Sequence, residues 1–114
     1  MAISEPYTNS ATISTTEYSL VNNSTTLASI TDDGVYQVFI DLANMAVGDE
    51  YEIKIKEKVT SGGTQRTVYT AYQDGAVAEP FVTPSLILVH GWDVTMRKVA
   101  GTDRSISWSI RKVV

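Results

Sequence analysis

YEIKIKEKV, residues 51–59, decides the class of fold. Tyr51, Ile53, Ile55 and Val59 fall on one parity and Glu52, Lys54, Lys56 and Lys58 on the other. A period of two puts successive side chains on opposite faces, so the segment reads as a half-buried β-strand with an apolar inner face and a charged outer one. Ser61-Gly62-Gly63-Thr64 follows and supplies residues that tolerate positive φ, so the chain turns back into RTVYTAY (66–72) as a hairpin. With Gly62-Gly63 at the tip, Val59 faces Arg66 and Ile55 faces Thr70; a bulge shifts every pair by one, and both registers stay open.

The same reading extends outward in both directions. VYQVFIDL (35–42) alternates with Tyr36, Val38, Ile40 and Leu42 on one face, and ANMAVGDE (43–50) is a loop, because Gly48-Asp49 ends any helical turn before it can propagate. SLILVH (85–90), WDVTMRKV (92–99) and SISWSIRKV (105–113) are further strands, the last two joined by Ala100–Arg104. Trp92, Val94 and Met96 share one face and Ile106, Trp108 and Ile110 another, and both sets are expected in the core. Upstream, ATISTTEYSL (11–20) is rich in β-branched residues and a short strand is expected around 25–30. Residues 1–11 are polar, contain Pro6 and read as an arm or edge segment. Seven or eight short strands with Gly and Asp turns between them predict an all-β, antiparallel β-sandwich, jelly-roll-like, with an extended N-terminal arm (1–11) and a single domain over 12–114.

Composition bounds what such a domain does. At 114 residues it is one core, too short for the sheet and flanking helices of an α/β-hydrolase. That bears on LILVHGWDV (86–94), where a strand running into His90-Gly91 is similar to an oxyanion corner. A hydrolase also needs a G-x-S-x-G elbow and a histidine base, and His90 is the sole histidine. The expectation is therefore a buried strand over Leu86–Val89 followed by a turn.

There is no cysteine, and one histidine does not make a zinc set. Asp32-Asp33, Asp49-Glu50 and Asp103 form no calcium loop and read as turn acids. The start, MAISEPYTNS, lacks the basic and apolar regions of a signal peptide, and no run is apolar enough for a spanning helix. No cofactor, membrane or small-molecule substrate is expected.

A net charge of −4 argues against nucleic acid as a partner. Charge is also segregated. All nine basic residues lie from Lys54 onward, whereas residues 1–53 hold eight acids and no base. Cross-strand pairing within one molecule accounts for this, and so does complementarity between neighbouring copies. The Lys54, Lys56, Lys58 stripe is accordingly either a solvated face or a docking surface, and Tyr7 and Arg66 join it as candidate protein-contact residues. Tyr7, Tyr18, Tyr69 and Tyr72 also fit packing or a sugar-stacking platform.

Three stretches carry a family resemblance. Asp41-Leu42 leading to a loop closed by Gly48-Asp49, the Gly91-Trp92-Asp93-Val94 start and the Gly101-Thr102-Asp103-Arg104-Ser105 turn resemble a group of small proteins encoded among the structural genes of tailed bacteriophages, over roughly residues 10–113. The resemblance implies a non-enzymatic capsid decoration, or cement, protein made in the host bacterial cytoplasm and carried on the virion capsid surface. Its implied partners are the major capsid protein and copies of itself, in a homo-oligomer such as a trimer. The alternative is a carbohydrate- or receptor-binding module of a phage tail or fibre.

Overall fold

A computed structural model describes residues 2–114. Nine strands run β1 Ile3–Ile13, β2 Tyr18–Ser19, β3 Gly34–Asp41, β4 Glu50–Glu57, β5 Arg66–Asp74, β6 Phe81–Val82, β7 Leu86–Leu88, β8 Asp93–Ala100 and β9 Arg104–Val113. Among the described residues there is no helix. The strands form two antiparallel sheets that pack together as a β-sandwich: β1-β9-β3 continued by β6 and β7 on the far edge of β3, and β2-β8-β4-β5. Pairing is nested, β1 with β9, β2 with β8, β3 with β6 and β7, and β4 with β5.

The inner faces are those that the alternation marks. Tyr36, Val38 and Ile40 of β3, Tyr51, Ile53 and Ile55 of β4, Val94 and Met96 of β8, and Ile106, Trp108 and Ile110 of β9 are buried in one cluster with Trp92. Each aliphatic side chain removed from water contributes about 1.5–3 kcal/mol. The polar tips inside this core are matched. Trp92 Nε1 donates to the Asp32 carbonyl at 3.0 Å and Trp108 Nε1 to the Leu20 carbonyl at 3.0 Å. Among the described residues no buried side-chain nitrogen or oxygen lacks a partner, as a rigid, singly specified core requires.

Several elements differ from expectation, each for a local reason. The strand expected over 11–20 divides, because the chain changes sheets between Ile13 on β9 and Tyr18 on β8, with the Lys98 N–H donating to the Ser14 carbonyl at the corner. Of residues 1–11, expected as an arm or edge segment, Met1 lies outside the described residues and residues 3–11 enter β1, which lies along β9 of its own sheet as the edge strand, bulged between Ser4 and Tyr7 around Pro6. Residues 25–30 form no strand; their main chain is held by side chains and by one bridge from Ile30 to Trp92. In the β4–β5 hairpin Ile55 faces Tyr69, not Thr70, and a bulge next to it restores pairing at Lys56–Thr67. Val59 therefore leaves the strand and is exposed. Leu86–Val89, expected as a buried strand, supplies only the three-residue edge strand β7, with Leu88 inward and Ile87 outward.

Candidate interaction surface

The two outer faces of the sandwich differ in chemistry. On the second sheet, the outward residues of β4 form an ionic layer. Lys56 Nζ meets Glu17 Oε2 at 2.7 Å, and the same oxygen accepts Thr95 Oγ1 at 2.6 Å. Glu52 Oε1 takes Arg97 Nε at 2.9 Å and Lys54 Nζ at 3.5 Å. Burial pushes the Glu52 carboxyl up, and hydrogen bonds from Tyr72 and Arg97 together with the charge of Lys54 outweigh it, so its pKa falls below the usual range.

Of six ion pairs among the described residues, five join an acid from the first 53 residues to a base from Lys54 onward. The charge segregation in the sequence is thus matched by pairing in space, within a single molecule.

This fixes where the candidate contact residues stand. Lys54 and Lys56 are paired, with side chains only 30% and 15% exposed. Lys58 is half-buried and lies over Gly91, whose φ of +51° favours glycine and where an added Cβ would sit 2.7 Å from Ser29 Oγ and 2.9 Å from Lys58 Cε, so that both side chains would have to move. Tyr7 packs inward, its ring edge-on to Trp92 at 5.7 Å. Arg66 is exposed at the start of β5. The structure therefore does not gather these five into one patch; three of them serve the internal network or the core.

The His90-Gly91 corner is also settled by geometry. The main-chain N–H groups of Val89 and His90 both donate to Glu57 Oε2, at 2.5 and 3.0 Å. An oxyanion hole needs donors aimed into open space, and these two are occupied by a carboxylate of the same chain. Trp92 and Trp108 are core residues and present no platform for a sugar ring; Tyr72 is exposed.

The outer face of the first sheet carries what the sequence reading missed. Ile3 pairs with Val113, Val113 with Val35, and Val35 with Ile87, so four apolar side chains line up across β1, β9, β3 and β7. They are 56%, 40%, 37% and 76% exposed in the order Ile3, Val113, Val35, Ile87. Beside this row the Arg111 guanidinium stacks 3.8 Å from the centre of the Phe39 ring, and its Nε donates to Ser109 Oγ at 3.2 Å. Phe39 and Arg111 separate two grooves: one of about 230 Å³ lined by Ile3, Val35, Gln37 and Val113, the other of about 280 Å³ lined by Asp41, Pro80 and Ser107. Among the described residues Arg111 has no carboxylate within ion-pair distance. The signal was present in the sequence as apolar residues on the wrong parity, Val35 and Phe39 in β3 and Val113 in β9.

No family model, curated protein or solved structure matches this chain. Among the described residues no three His, Cys, Asp or Glu side chains cluster as a metal site would require.

Proposed function

We propose that the chain is a jelly-roll structural protein of a phage virion, a capsid decoration protein that binds the shell without catalysing a reaction. The nested strand pairing supports reading the two sheets as a rolled ribbon, an architecture used by viral capsid domains and lectins alike. Fold alone does not choose between them.

What carries the reading is the face of the first sheet. An exposed apolar row flanked by an aromatic-stacked arginine that has no carboxylate partner among the described residues is the make-up of a protein-contact patch, where aromatic and arginine anchors dominate binding. Its complement is a shell protein presenting an apolar ridge with an acidic residue beside it. Many equivalent contacts around a shell multiply weak individual ones into firm attachment.

The experiment is co-sedimentation of the purified chain with phage heads assembled without it. Saturable binding that is lost in an Arg111→Glu, Val35→Lys variant supports the reading. Binding unchanged in that variant, or no binding to heads, overturns it.

A further inference from the structure

The groove of about 230 Å³ on the outer face of the first sheet is one-sided in charge: two cations, Arg111 and Lys112, line it, and no acid does. Lys112 is already engaged. Its Nζ meets Asp32 Oδ1 at 2.9 Å and lies 5.6 Å from the centre of the Tyr36 ring. Arg111 differs, because among the described residues no carboxylate stands within ion-pair distance of its guanidinium. Its Nε donates to Ser109 Oγ, and Glu5 is linked to it through that hydroxyl. The Nη1–Nη2 side of the fork is the one that can take a carboxylate from outside, in two parallel hydrogen bonds.

The apolar part of the same groove stands at a fixed distance from that charge. Val113 is two residues from Arg111 on β9, and Val35 is two residues from Gln37, which pairs with Arg111. Two residues of strand span about 6.8 Å, and side chains two apart share a face. An extended partner chain that matches both features therefore carries an aliphatic residue and an Asp or Glu at positions i and i+2, in either order. A nucleic-acid phosphate would satisfy Arg111 but set polar sugar against Ile3, Val35 and Val113, and the net charge of −4 works against it. A purely apolar segment would cover Arg111 without a counter-charge, which is unfavourable.

We infer that this groove recognises an extended acidic segment of the partner protein, with an aliphatic side chain seated on Val35 and Val113 and a carboxylate held in the guanidinium fork of Arg111. The inference rests on the shell-binding reading of this face and narrows it from a surface to a three-residue element.

The probe is an acetylated, amidated peptide, Ser-Val-Ser-Asp-Ser, titrated into the isotope-labelled chain. NMR should show saturable shifts at the Arg111 side chain and at the Val35 and Val113 methyls, at about millimolar peptide. Replacing Asp by Asn in the peptide, or Arg111→Gln in the protein, should each weaken binding about tenfold, the loss of one charge-assisted pair. Making both changes together should weaken it little further, because they remove the same contact. Val35→Ser should weaken the Asp and Asn peptides alike. No saturable binding, equal binding of the two peptides, losses that add in the doubly changed pair, or shifts centred on another surface each overturn the inference. These measurements need no heads. Heads that bind while the peptide does not would leave the shell-binding reading standing with a different contact, and a peptide that binds while heads do not would assign the groove's specificity to another partner.

Discussion

The Arg111 guanidinium lies 3.8 Å from the centre of the Phe39 ring, and Ser109, which accepts its Nε, passes a hydrogen bond on to Glu5 at 2.6 Å. Phe39, Ser109 and, through Ser109, Glu5 thus hold one cation still on an exposed face. Stacking of this kind at a surface contributes about 0.5–1 kcal/mol, too little to matter for folding. Preorganisation matters more for a contact, since the cation loses little further freedom when a partner carboxylate arrives.

Arg111→Ala is expected to change thermal unfolding by no more than about 1 kcal/mol while lowering attachment to heads at least tenfold. Paired thermal melts and co-sedimentation measure both. Equal loss of stability and attachment would make Arg111 a structural residue only.

Asp93 is fully buried and organises the irregular segment between β2 and β3. Its Oδ1 accepts Ser19 Oγ and the Val94 N–H, both at 2.8 Å, and its Oδ2 accepts the Ala28 N–H at 2.9 Å. Burial raises its pKa, and these hydrogen bonds counter that only in part. Asp93→Ala strands three donors and is expected to cost about 3 kcal/mol. Asp93→Asn should cost less, because it keeps one acceptor and removes a buried charge. Denaturant titrations order the two variants, and the Ala28 amide should lose hydrogen-exchange protection in both. A fully protected Ala28 amide in Asp93→Ala would show that the segment is held by something else.

Asp49 gives the pH dependence its sign. The Thr102 and Ala46 N–H groups and the Arg104 guanidinium, all donating to its carboxylate, hold its pKa at about 2. The unfolded chain returns it to about 3.9. The folded state therefore binds fewer protons between these values, so the stabilisation is complete above roughly pH 4 and is lost as pH falls towards 2. Asp93, with its pKa raised, contributes in the opposite sense: its protonated form favours folding, and that share is lost as pH rises through its folded value. Thermal melts of the parent and Asp49→Asn should differ at pH 7 and converge near pH 2. A constant gap would contradict the assignment.

Gly101 closes against the same carboxylate. Its φ is +92°, and a Cβ there would run into Asp49 and the Gly48 carbonyl. Gly101→Ala is expected to destabilise by about 2 kcal/mol or more, from backbone strain and displacement of Asp49. Chemical denaturation checks it; a neutral result would mean that the β8–β9 turn relaxes freely.

How far the sequence could be read follows from where the information lies. The inner residues of β3, β4, β8 and β9 were legible because alternation is local: Ile53 is buried whatever strand lies beside it. The segment 25–30 was not, because its order depends on Asp93 and on Gln65, whose amide donates to the Ala28 carbonyl from a distant loop. The β4–β5 register hinged on one bulged residue, which turn composition does not specify. The exposed apolar row was hidden for a third reason. Ile3, Val113, Val35 and Ile87 become a row only after three separate long-range pairings set their registers, and singly each reads as an ordinary exposed aliphatic. Within the lysine stripe, the pairing of Lys56 was not legible because its partner, Glu17, lies outside the hairpin.

The most direct test of the proposed role is an electron density map of the heads of a phage whose genome carries this sequence. A decoration protein predicts the sandwich in regular copies on the head, with Ile3, Val35, Val113 and Arg111 turned against the shell. Heads without such density, or copies whose β1-β9-β3 face looks out into solvent, would contradict it.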